Sequence, residues 1–121
     1  MGQAPEVEGW PELVNRIGAS PAFADAAILD FGLTLAGDAS LVLRTFAMSD
    51  GANYDYERPI IVTVSASRVQ AVELQDFGPA AYVDELRIER SGDLWRLSLQ
   101  AAAGLCGSLL AKDIKVGSRP G

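Results

Sequence analysis

The chain reads as an α+β domain: mainly an antiparallel β-sheet of about seven strands, curved or folded over, with one short N-terminal helix. Three observations predict this. Apolar residues fall at every second position in several short runs, which is the period of a strand with one face buried. Turn residues recur between those runs at hairpin spacing, at Gly37-Asp38 and Ser91-Gly92-Asp93. Near the N-terminus alone the period changes to that of a helix, with Trp10, Leu13, Val14 and Ile17 on one face.

That helix has Pro11 in its first turn, where a missing N–H costs nothing, and Gly18 as its stop. At about two turns it needs packing to be stable. Ser20 and Pro21 then open a turn that runs through Asp25. The first strand sets Leu29, Phe31, Leu33 and Leu35 on one face and Asp30, Gly32 and Thr34 on the other. After Gly37-Asp38 the second strand sets Leu41, Leu43 and Thr45 against Val42, Arg44 and Phe46, and with both faces fairly apolar it suits a central position.

The segment Ser49 to Arg58 is polar and aperiodic and is expected to be the longest loop, closed by Pro59. PIIVTVSAS is a β-branched strand, followed by a tight connection near Ser67 and a further strand, VQAVELQDF. FGPAAY breaks the pattern; VDELRIER and LWRLSLQ resume it on either side of the second hairpin turn. After the small-residue stretch AAAGLCG comes the last strand, SLLAKDIKV, in which strict alternation would put Lys112 among the apolar residues. An irregularity or an edge position is expected there. The tail GSRPG is expected to fray, leaving one domain over residues 1–121 with an ordered core of about 10–116.

Composition excludes several function classes. The 121 residues are 49% hydrophobic and 21% charged, with no run near the about 20 apolar residues that cross a bilayer. No membrane partner is expected. The N-terminus MGQAPEVEGW lacks the basic start and apolar centre of a secretion signal, and the single Cys106 has no internal disulfide partner, so the cytoplasm is the expected compartment. Ten Lys and Arg against sixteen Asp and Glu give a net charge of -6, which disfavours nucleic acid and would speed association with a basic protein.

The catalytic inventory is short. With no histidine, a histidine-dependent serine triad and zinc sites of the Cys/His type are excluded, and Cys106, without such a base to activate it, reads as a packed or partly exposed structural cysteine. Carboxylate chemistry would rest on Asp25, Asp30, Asp50, Asp55 and Glu57, but their spacing brings no pair together, and solvated surface charge is the simpler reading. Asp50 to Glu57 lacks the ligand spacing of an EF-hand loop. No glycine-rich phosphate motif is present, so no catalytic residue, cofactor or metal is expected. The feature left over is a pair of tyrosines two residues apart in a polar stretch, where aromatic rings commonly anchor protein contacts. Asp50, Tyr54, Asp55, Tyr56 and Glu57 are accordingly the candidate protein interface.

The order of these segments carries a resemblance. A short helix led by Trp10, then PAFADAAIL feeding a strand, LVLRTF, VTVSASRVQAVELQDF, VDELRIE and a closing KDIKV together resemble the bacterial immunity protein 50 family, over Trp10 to Val116. The resemblance implies a protein of a polymorphic toxin system that neutralises its cognate toxin by binding it. Of the family's Phe-His-Asp-Ala-Glu type string, Phe23, Asp25 and Ala26 match, while Ala24 and Ala27 replace the histidine and the glutamate. By the same resemblance Phe23 is a core anchor, and Asp25 caps or pairs with backbone groups. Two other classes stay open: a small-ligand or carboxylate-enzyme domain that uses the curved sheet as a cup, and a homodimer paired through exposed strand edges.

Overall fold

In the computed structural model, which describes residues 7–18, 23, 25–48, 53–75, 82–101 and 106–121, one helix packs against a six-stranded antiparallel sheet. The elements are α1 (Trp10–Ile17), β1 (Ala27–Leu33), β2 (Ala39–Met48), β3 (Tyr54–Gln75), β4 (Val83–Ser91), β5 (Leu94–Ala101) and β6 (Cys106–Pro120), and the strand order is β1-β2-β3-β6-β5-β4. The edge strands β1 and β4 approach at one corner, where the Asp25 N–H donates to the Val83 carbonyl and the Val83 N–H to that of Ala26, each at 2.8 Å. The sheet is strongly curved but open.

The α+β, mainly antiparallel class holds, with six strands rather than seven. The expected connection near Ser67 is no reversal, because β3 runs straight through it for 22 residues. Arg68 takes a left-handed conformation there (φ 54°), and the β3–β6 register slips between Val69 and Ala71, so the chain bends without turning back. The bend is stapled twice. Arg68 pairs with Asp113 of β6 at 2.7 Å, and the Val69 N–H donates to the Gly37 carbonyl in the β1–β2 turn at 2.9 Å.

Three further expectations are corrected. Tyr54 to Arg58, read as loop, are the first residues of β3; residues 49–52, with Asp50, lie outside the described residues. The tail is strand rather than frayed, because Gly117 to Pro120 pair with Thr63 to Ile60 of β3. Leu29 leaves the face it was given. A bulge between Ile28 and Asp30 turns it outward, and it is 48% exposed, while Ile28 and Phe31 pack against the core. Leu35, beyond the strand, is fully exposed. The expected turn residues 19–22, Ala24, the break 77–81 and residues 102–105 also lie outside the described residues.

The irregularity expected at Lys112 is present. Leu109 and Ala111 are buried, Lys112 and Asp113 are exposed, and Ile114 and Val116 are buried again. The phase changes where β5 runs out, since the β5–β6 ladder ends at Trp95 opposite Ala111. Beyond it the N-terminal segment takes the vacated side: Glu8 bridges Lys115, and the Val116 N–H donates to the Glu8 carbonyl at 2.9 Å.

The concave face carries the core. Leu41, Leu43 and Ala47 of β2, Ile60, Val62 and Val64 of β3, and Ile114 and Val116 of β6 are buried on it. Trp10, Leu13 and Ile17 of α1 close one end, and Phe23 meets Trp10 edge-on at 6.4 Å between ring centroids. At the other end, Phe31, Leu41, Leu74, Leu97, Leu99 and Leu109 surround an apolar cavity of about 20 Å³. That is about one water's worth of space.

The N-terminal segment can approach β6 closely because residue 9 is glycine. Gly9 sits at φ 87°, and a Cβ there would fall on the Val116 carbonyl. Gly92, in the β4–β5 turn, also has positive φ (64°) but has nothing within 4 Å of where its Cβ would stand. Gly9→Ala should therefore cost about 2 kcal/mol or more in urea unfolding, and Gly92→Ala only about 1 kcal/mol, the strain of the backbone conformation alone. Equal costs would mean that the Gly9–Val116 approach is not a constraint.

Candidate functional site

Alternation along β2 sends Phe46 to the convex face, away from the core that holds Thr45 and Ala47. Opposite it the ladder is interrupted. Phe46 faces Pro59 and Ala47 faces Asp55, so Tyr56, Glu57 and Arg58 have no opposite residue on β2. They form a wide bulge, and the chain on its far side places Tyr54 and Tyr56 beside Phe46. The ring centroids of Tyr54 and Tyr56 stand 6.5 and 4.9 Å from Phe46, both edge to face, and 6.2 Å from each other in a tilted arrangement. Such pairs hold their geometry beyond simple burial. Tyr54 is half-buried, but Tyr56 is 71% exposed.

The bulge is held by its own polar groups. Arg58 places Nε 3.0 Å from Asp55 Oδ2 and donates from an Nη to the Met48 carbonyl at 3.1 Å, while the Glu57 N–H donates to Asp55 Oδ1 at 3.0 Å. Asp55 is thus a structural acceptor with both oxygens engaged. Its environment is that of a surface carboxylate, partly open to water beside an exposed arginine, and the ion pair adds little stability by itself.

Of the residues expected at an interface, Tyr54, Asp55, Tyr56 and Glu57 stand together at the start of β3, and Asp50 lies outside the described residues. Sequence reasoning missed Phe46, which completes the aromatic cluster, and Arg58, which fixes the bulge. Phe46 is eight residues upstream of Tyr54, and only the β2–β3 register connects them.

On the concave side of the same bulge an open groove of about 330 Å³ runs between the end of α1 and the ends of β2, β3 and β6. Ala47, Pro59, Ile60, Pro120 and Gly121 line it, with Arg16, Glu57 and Arg58 beside them. Arg16 Nε donates to Ser118 Oγ at 3.0 Å. Among the described residues, no group of three or more carboxylates and thiols converges as metal ligands, and Cys106 stands half-exposed as a free thiol. No helix of the described residues is long and apolar enough to cross a membrane.

On the convex face of β4 and β5 the charges are paired or mixed. The Arg87 Nε donates to Glu85 at 2.7 Å, and this hydrogen bond, then the Coulombic attraction of Glu85, raises the guanidinium pKa above its usual value. On the opposite, core-side face Arg90 covers the ring of the buried Trp95 at 4.7 Å.

Set against protein-family models, curated proteins and solved structures, the chain matches none.

The exposed ring of Tyr56 contributes little to the fold. Tyr56→Ala should lower the unfolding free energy by at most about 1 kcal/mol, where Leu43→Ala, at 0% exposure in the core, should cost about 2–5 kcal/mol. Chemical denaturation of the two variants checks this; a Tyr56 variant as unstable as the Leu43 variant would make that ring a core residue.

Proposed function

We propose that the protein is a non-catalytic binding protein, similar to the toxin-neutralising immunity proteins, that acts by direct contact with a protein partner in the bacterial cytoplasm. The observation that carries this reading is the Phe46–Tyr54–Tyr56 cluster, a rigid aromatic platform held on a bulge and left open to solvent. Tyrosine supplies large contact area for few rotatable bonds, and it is enriched where interfaces concentrate their binding energy.

The functional proposal makes a definite demand on the tyrosines. When the tagged protein is used to capture partners from its own cell extract at low salt and at about 0.5 M, where screening shortens the reach of charges to a few ångströms, one protein should be retained by the wild type. Tyr54→Ala combined with Tyr56→Ala should lose it while keeping the wild-type circular dichroism spectrum. Retention by the folded double variant would remove the platform from the interface, and recurrent failure to retain any partner would count against the binding reading itself.

A second reading rests on β1. Leu29 and Leu33 are 48% and 47% exposed on that edge strand, and Leu35 beside them is fully exposed, a combination that invites pairing with a second copy. Light scattering should then show a mass that doubles with concentration, and Leu33→Lys should keep the protein monomeric.

A further inference from the structure

The ladder registers order the convex face of β2, β3 and β6 into rows. Arg44 lies opposite Ile61, and Ile61 lies opposite Arg119. One row further along stand Val42, Thr63 and Gly117, and the next row holds Ser40, Ser65 and Lys115. On the other side of the arginine row lie Phe46 and Pro59, at the edge of the tyrosine platform. From Phe46 to Lys115 the rows of these three strands carry three cations, in a chain whose net charge is -6; the carboxylates nearest them lie at the margins, Asp30 of β1 opposite Val42 and Glu8 beside Lys115. Arg44 and Arg119 are exposed and make no ion pair with a described residue, unlike Arg58, Arg68 and Arg87.

Two strand spacings separate Arg44 from Arg119, about 10 Å across the sheet. Between them Ile61 is only 9% exposed although it belongs to the face away from the core. Two guanidinium groups thus bracket a nearly covered isoleucine, on a face continuous with the Phe46–Tyr54–Tyr56 platform. Guanidinium groups pair bidentately with carboxylates, and a planar fork is less costly to desolvate than an ammonium.

Net charge does not decide which partner fits such a face. At physiological salt the screening length is about 8 Å, so charges on the far side of the domain are largely screened at this face and the local residues dominate contact. From this we infer that the convex face of β2, β3 and β6 is the docking surface for an acidic protein segment whose carboxylates engage Arg44 and Arg119. The inference rests on the binding reading and deepens it, and it reverses the sign of partner suggested by the overall charge. The partner's contact surface is acidic, whatever its total charge.

The probe is a ten-residue polyglutamate peptide, titrated into the ¹⁵N-labelled protein at physiological salt beside a polylysine peptide of equal length and a ten-nucleotide oligothymidine. The polyglutamate should shift the amides of Arg44, Ile61, Thr63 and Arg119. Arg44→Gln with Arg119→Gln should weaken its binding about tenfold, as loss of two exposed ion pairs does, and Arg44→Lys with Arg119→Lys should restore most of it. The dispersion of each variant's spectrum shows that it is folded. No shift on this face, shifts that persist unchanged in the Gln variant, or tighter binding of the oligothymidine to the same amides would each overturn the inference.

The two proposals fail separately. A natural partner lost with Tyr54→Ala and Tyr56→Ala but held by Arg44→Glu with Arg119→Glu leaves the binding reading standing and overturns this one. A partner lost with both variants supports this one.

Discussion

The pairing of β3 with β6 is the constraint on which the rest of the structure depends. β3 is hydrogen-bonded to β2 on one side and to β6 on the other, and the β3–β6 ladder runs from Ile60 opposite Pro120 to Gln75 opposite Cys106. A straight strand of 22 residues would span about 70 Å, roughly twice the width of a domain of 121 residues. The strand has to curve. The left-handed Arg68, the slipped register after Val69 and the Arg68–Asp113 pair accomplish this, and the curvature they impose produces both the concave core and the convex face. Each of the other strands joins one side of this spine.

The interruptions in the ladders explain most of what lies at the surface. The bulge at Ile28–Asp30 sends Leu29 outward, and the slip at Phe46–Ala47 releases Tyr56, Glu57 and Arg58 from pairing. The end of β5 opposite Ala111 frees one side of β6 for the Val7–Gly9 segment. In the first two cases a backbone irregularity, rather than an unusual side chain, puts a residue in an exposed position.

That is also where sequence reading stopped being sufficient. Alternation identified the buried face of β2, the two hairpin turns and the helical face of Trp10, Leu13 and Ile17, because burial on one face leaves a period in composition. The length of β3 was not legible: a connection is expected near Ser67, yet Ser67 pairs with Asp113 of β6 and the ladder continues to Gln75. Small polar residues are cheap in a ladder held on both sides, and propensity gives way to pairing. Tyr54 and Tyr56 could be singled out by their spacing. The row of Arg44, Ile61 and Arg119 could not, because three strands far apart in sequence meet only through register.

The contact between Glu8 and Lys115 links positions 107 residues apart. During synthesis at about 5–20 residues per second, Trp10, Leu13 and Ile17 are made some 5 to 20 s before the strand that covers them. The apolar face of the helix therefore waits for the last strand before it is sheltered. For a cell making this protein, the period of greatest exposure to misassociation is set by translation speed across β2 to β5, and synonymous changes that slow the ribosome there would lengthen it without altering a single side chain.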